Sequence, residues 1–109
     1  MPTSSMWRQE IELLQNYSQH KTFTVATTNN NAKDVVVLAG NMQECNKISL
    51  VVELGDAYIE FDGTATSNSM YIPQDEGYFD DSIFIGTNIS VKNAVDGTNV
   101  RVRGIIWGR

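Results

Sequence analysis

The residues of this chain whose types could do chemistry fall into three sets. Asp75, Glu76, Asp80 and Asp81 share one short stretch. Calcium takes roughly six to eight oxygen ligands, several of them carboxylates from one loop. These four acids, with backbone carbonyls, would supply part of such a shell. They lack the Asp-x-Asp-x-Asp-Gly spacing of an EF-hand, and an acidic loop facing water accounts for them without an ion. A paired-carboxylate glycosidase site drawn from the same residues would need a sugar cleft, for which a chain of 109 residues leaves little room.

Cys45 and His20 form the second set, the single cysteine and single histidine of the chain. Together they would be a nucleophile and its base. Apart, they are a buried thiol and a surface imidazole, the ordinary fate of both side chains. One cysteine allows neither an intrachain disulfide nor a cysteine-based zinc site. No nucleophile–base pair or metal set stands out, so the expectation is no enzyme and no cofactor.

The third set is Arg101, Arg103 and Arg109. Arg101 and Arg103 are two apart, hence on one face if the segment is a strand. Between Lys47 and Lys92 the chain has no basic residue but carries Glu53, Asp56, Glu60, Asp62 and the acidic loop. A basic edge and an acidic middle suit contact between copies or with a complementary partner. The net charge of −5, from thirteen acids and eight bases, argues against nucleic acid, whose binding draws on Lys and Arg neutralising phosphates. No apolar run approaches the ~20 residues of a membrane span, and the start of the chain lacks the basic-then-apolar pattern of a signal peptide. A soluble protein of a reducing compartment is expected.

The elements that would position these residues read mostly as strands. Residues 47–61, KISLVVELGDAYIEF, alternate apolar and polar on both sides of Leu54-Gly55-Asp56, which predicts a core β-hairpin. Residues 21–26 predict a first strand with Phe23 and Val25 on one side, and Asp34–Leu38 a short β-branched one. Thr64-Ala65-Thr66, Met70-Tyr71-Ile72, Ser82–Ile85 and the run around Ile89 and Val91 follow as short strands. Gln74–Asp81 reads as the acidic loop, and Asp62-Gly63 and Asp96-Gly97 as turns. Residues 98–107 give the longest strand, with Val100, Val102 and Ile106 on one face and Arg101, Arg103, Ile105 and Trp107 on the other. The predicted core is Ile48, Leu50, Val52, Ile59, Phe61, Ile83, Val100 and Val102.

About eight short strands with regular turn signals predict an all-β antiparallel sandwich of jelly-roll type. The exception is residues 6–18, where Trp7, Ile11 and Leu14 recur at helical spacing, with Leu13 and Tyr17 beside them. This predicts a short N-terminal helical extension over residues 1–20 and a sandwich domain over 21–109. An isolated helix of this length is marginal in water, so its stripe must dock on its own domain or on a partner.

Residues 47–107 resemble small β-sandwich structural proteins of tailed bacteriophages. The likeness lies in the order of Tyr58-Ile59-Glu60-Phe61, Thr64-Ala65-Thr66, Met70-Tyr71-Ile72-Pro73, Ile89-Ser90-Val91, Asp96-Gly97 and Val100-Arg101-Val102. The resemblance implies a virion structural protein made in the host cytoplasm, a capsid decoration (cement) protein binding the major capsid protein in many copies. The alternatives are a head-completion or tail-adaptor ring protein, or a carbohydrate-binding module with exposed coplanar aromatics. The residues expected to meet the partner are Trp7, Ile11, Leu14, Arg101 and Arg103, with neither nucleic acid nor membrane among the partners.

Overall fold

A computed structural model describes residues 19–27, 33–36 and 42–109. The predicted helix, with Trp7, Ile11 and Leu14, lies outside the described residues. Eight strands follow in order: β1 (Gln19–Thr27), β2 (Lys33–Val36), β3 (Cys45–Leu54), β4 (Ala57–Phe61), β5 (Met70–Ile72), β6 (Gly77–Asp80), β7 (Asn88–Asn93) and β8 (Val100–Gly108). They form two antiparallel four-stranded sheets, β1-β8-β3-β6 and β2-β7-β4-β5, here called the first and second sheets. That interleaving, with the chain passing back and forth between two facing layers, is the strand order of a jelly roll. The chain is all-β through the described residues, as its alternation predicts. Gln19 and His20 belong to β1, so the boundary expected after residue 20 falls inside a strand.

The two layers meet through a mainly aliphatic core. Ile48, Leu50, Val52, Phe23, Val25, Val100, Val102 and Ile106 come from the first sheet, and Ile59, Ile72, Ile89 and Val91 from the second. Fully burying side chains of this size stabilises a fold by roughly 1.5–3 kcal/mol each. Six of the eight predicted core residues are buried; Phe61 and Ile83 are half-buried and pack against the cluster.

The central expectation about connectivity is corrected. β3 and β4 are not a hairpin, because β3 pairs with β6 and β8, whereas β4 pairs with β5 and β7. Leu54-Gly55-Asp56 therefore carries the chain across the core, from one layer to the other. Alternation reports which side chains are buried and is silent on which neighbour completes the backbone hydrogen bonds. Gly55 has φ +70°, and a Cβ there would stand 2.3 Å from the carbonyl oxygen of Asn99, so two crossings touch at this end of the roll. The Asp96-Gly97 turn likewise joins opposite layers, from β7 to β8, and closes on a Thr98 N–H to Val95 carbonyl bond of 3.1 Å. Only β4 and β5, among the described strands, are both consecutive and paired.

Three local assignments also change. Thr64-Ala65-Thr66 is a loop, held where the Ala65 N–H donates to Ser90 Oγ at 2.9 Å. Ser82–Ile85 is no strand: Ile85 alone makes a two-bond bridge to Cys45. The acidic stretch contains β6, paired with residues 48–51 of β3, because Tyr78 packs beside Phe61, with ring centroids 5.9 Å apart, and anchors the strand.

Candidate interaction surface

Among the described residues the space between the sheets is filled mainly by apolar side chains, while Thr27, Ser90 and Asn93 are the buried polar ones. Cys45 is fully buried there, and burial pushes its thiol up from the ordinary value. His20 is exposed on β1, opposite Trp107. The two potential partners thus occupy opposite faces of the first sheet, so no nucleophile–base pair forms. Among the described residues no three His, Cys, Asp or Glu side chains gather as metal ligands. The acidic stretch shows why. The Asp80 carboxylate accepts the Tyr78 hydroxyl and the Ser82 N–H, each at 2.8 Å, while Asp81 accepts the Ser82 hydroxyl at 3.3 Å.

The outer face of the first sheet is more varied. Outward positions on β8 are Arg101, Arg103, Ile105 and Trp107, as predicted, with β3 beside them. The β3–β8 register slips between Val52 and Leu54, a bulge that leaves Glu53 unmatched and turns both Glu53 and Leu54 outward. Glu53 then meets both arginines. Its carboxylate accepts Arg103 Nε and lies 3.4 Å from Arg101 Nη2. The bond from Arg103 holds the Glu53 carboxyl below the usual range, with the charges of both arginines adding to it. Arg101 and Arg103 are therefore brought together as expected, with a shared anion that sequence reasoning missed. A bulge has no signature in alternation, so the pairing of Glu53 with β8 was invisible. Arg109 is separate, paired with Glu44.

Among the described residues, this sheet carries two open depressions. One, about 560 Å³, crosses its outer face between Thr22, Thr24, Ser49, Val51, Arg103 and Ile105. The other, about 360 Å³, lies at the end of the sheet between Ala26, Thr27, Leu54, Asn99 and Arg101. At the opposite end the Lys47 ammonium sits 4.6 Å from the Trp107 ring centroid and 5.5 Å from that of Phe79, a cation–π arrangement. Phe79 itself is 58% exposed.

The outer face of the second sheet carries Tyr58 and Tyr71, directly opposite on β4 and β5. Their rings are 5.8 Å apart and inclined by 56°, with Lys92 Nζ 5.9 Å from the Tyr58 ring centroid. The two rings do not make the coplanar platform a carbohydrate-binding module would use. Beside them the loop after β4 folds over the sheet, where the Ser69 hydroxyl donates to Glu60 at 2.8 Å.

These observations define a protein of jelly-roll fold whose described core is mainly aliphatic, with most of its charged side chains on the outside. No protein-family model matches the chain, and no curated protein matches it. Among solved structures, the cupin domain of Schizosaccharomyces pombe Cnp3 is similar over 83% of this chain and 53% of its own length, with 13% identity and a TM-score of 0.49. The Clostridium difficile EutQ protein is similar over 84% of this chain and 58% of its own, with 13% identity and a TM-score of 0.47. The chain spans little more than half the length of either.

Proposed function

We propose that this chain is a protein-binding structural module rather than an enzyme, and that it serves as a decoration protein on the major capsid protein of a tailed bacteriophage. The observation that carries the binding reading is the mainly aliphatic packing between the sheets among the described residues, which favours recognition by the outside of the roll. The virion part draws on the order of pieces between Lys47 and Trp107 described above. The contact we assign is the end of the first sheet where Arg101, Leu54 and Asn99 border an open depression. Leu54 is exposed there, opposite Arg101 in the β3–β8 register, an apolar anchor next to a charge that sets register.

Co-sedimentation with purified phage heads tests the reading. A decoration protein binds with a stoichiometry approaching one copy per capsid subunit or per capsomer, and Arg101→Glu weakens binding at least about tenfold without lowering the melting temperature appreciably. A stoichiometry of a few copies per head would indicate a portal-associated ring, and no binding at all would remove the virion reading.

A further inference from the structure

Asp-Gly occurs twice in the chain, at residues 62–63 and 96–97. This dipeptide is prone to rearrange without an enzyme, because glycine has no Cβ to hinder attack of its amide nitrogen on the aspartyl side chain. Both aspartates are exposed, so access to water does not separate them. Their bonding does. The Asp62 carboxylate accepts the N–H of Gly86, Thr87 and Asn88 and the Thr87 hydroxyl. The Asp62 N–H donates to the Asn88 carbonyl at 2.9 Å, and the Gly63 carbonyl accepts Asn88 Nδ2 at 3.0 Å. The pair is thus pinned on both sides of the bond that must rotate. Asp96-Gly97 instead forms the exposed tip of a turn closed from its flanks. There the Val95 carbonyl accepts the Thr98 N–H at 3.1 Å and Asn93 Nδ2 at 3.0 Å. Among the described residues the Asp96 carboxylate has no hydrogen-bond or ion-pair partner. A Cβ at Gly97 would meet nothing within 4 Å, so the peptide unit has steric room to turn.

We infer that Asp96-Gly97 is a site of spontaneous isomerisation to isoaspartate, and that the Asp62 clasp keeps the chemically identical pair at 62–63 unreactive. The Gly97 amide nitrogen attacks Cγ of Asp96 in its protonated carboxyl form. An N–Cγ bond forms, a C–O bond breaks, and the nitrogen's proton leaves with the hydroxyl as water, giving a cyclic succinimide. Water then adds back. Addition at Cγ restores aspartate, whereas addition at the α-carbonyl breaks the bond from that carbonyl to nitrogen. The chain then runs through Cβ and Cγ, and the α-carboxylate is freed to solvent. The product carries one extra backbone carbon in the crossing that leads through Asn99 into β8. At Asp62 the same closure first needs the carboxylate withdrawn from its donors. Burial alone would raise that carboxyl, but the bonds from Gly86, Thr87 and Asn88 hold it below its ordinary value, away from the protonated form that reacts.

Ageing the purified full chain at physiological pH and temperature tests this. Cleavage after Lys and Arg places the two pairs in separate peptides, since Lys92 lies between them. Electron-transfer fragmentation of each peptide distinguishes isoaspartate from aspartate. In the native protein isoaspartate should accumulate at Asp96 at least about tenfold faster than at Asp62, where the clasp must open first. In denaturant, which removes the clasp, the two rates should converge. Asp96→Glu, whose larger ring closes far more slowly, should abolish the signal at that position. Equal rates in the native protein would overturn the proposal. So would a gap that persists in denaturant, which would place the difference in local sequence, or isomerisation at Asp96 that begins only after unfolding.

Discussion

The Asp62 carboxylate accepts both the backbone N–H of Thr87, at 2.6 Å, and its hydroxyl, at 2.9 Å, across 25 positions of sequence. It also accepts the N–H of Gly86 at 2.8 Å and of Asn88 at 3.3 Å. One side chain thus clasps the loop before β7 to the end of β4. Burial alone would push the carboxyl up, but the bonds from Gly86, Thr87 and Asn88 outweigh it and hold the group below its ordinary value. A carboxyl depressed in the folded state adds stability above its unfolded value, near pH ~3.9, and loses it as pH falls through the lower folded value. Asp62→Asn tolerates the left-handed backbone at this position, φ +58°, while removing the charge. The variant should be less stable than the parent at pH 7, by about 1 kcal/mol on the scale of a lost helix cap, and the gap should close below pH ~4. Thermal melts of both proteins from pH 2.5 to 7 check this; a constant gap would show that the charge is immaterial.

Two glycines separate backbone conformation from crowding. Gly55 and Gly97 both have positive φ, +70° and +77°. A Cβ at Gly97 meets nothing within 4 Å, whereas one at Gly55 strikes the Asn99 backbone at 2.3 Å. Both alanine variants bear the left-handed cost of about 1–2 kcal/mol. Gly55→Ala should cost clearly more, since Asn99 can yield only by moving a layer crossing. Chemical denaturation of the pair measures the difference, and equal losses would refute close contact between the crossings.

Core truncations should be ranked by burial rather than by side-chain size. Ile48 is fully buried, and Ile48→Ala should cost about 2–5 kcal/mol. For a domain of this length that lowers the melting temperature by roughly 10–30 °C. Phe61 is larger but half-buried at the margin of the cluster, so Phe61→Ala should cost less. Differential scanning calorimetry gives the ordering.

Cys45 should behave as a reporter of opening. Its thiol has no solvent exposure, donates to the Lys47 carbonyl at 3.4 Å and is pushed up by burial. A thiol reagent should therefore react at a rate set by unfolding, slowed by stabilising conditions and accelerated in step with added denaturant. Rapid labelling of the native protein at neutral pH would contradict the buried position.

Much of this architecture was legible because a strand's side chains alternate. Ile48, Leu50, Val52, Val100 and Val102 could be assigned to the core, and Arg101 and Arg103 to one outward face, from period alone. Pairing was not legible. Leu54-Gly55-Asp56 has the composition of a hairpin turn, yet the β3 bulge and the contact of Gly55 with Asn99 take the chain to the opposite layer. β6 was hidden for another reason: Gly77-Tyr78-Phe79-Asp80 is flanked by acids and exposes Phe79, so its pattern resembles a loop. The clasp formed by Asp62 was half visible, since Asp62-Gly63 marks a turn, but nothing local shows that the carboxylate reaches Gly86 and Thr87.

The place of β8 has a consequence for how the roll is made. It lies between β1 and β3, pairing with β1 from Val100 to Gly108 and with β3 along most of the same length. During synthesis β1 and β3 leave the ribosome well before the strand that joins them, so β1 stays apart from the β3–β6 pair until β8 arrives. Until then β1 and the edge of β3 away from β6 present unsatisfied backbone, open to other nascent chains. With nearly every pairing spanning distant parts of the chain, closure should be slow, in the millisecond-to-second range of β-rich folds. β8 is thus the latch of the sandwich, and its delivery, more than any local hairpin, sets the moment at which the first sheet closes.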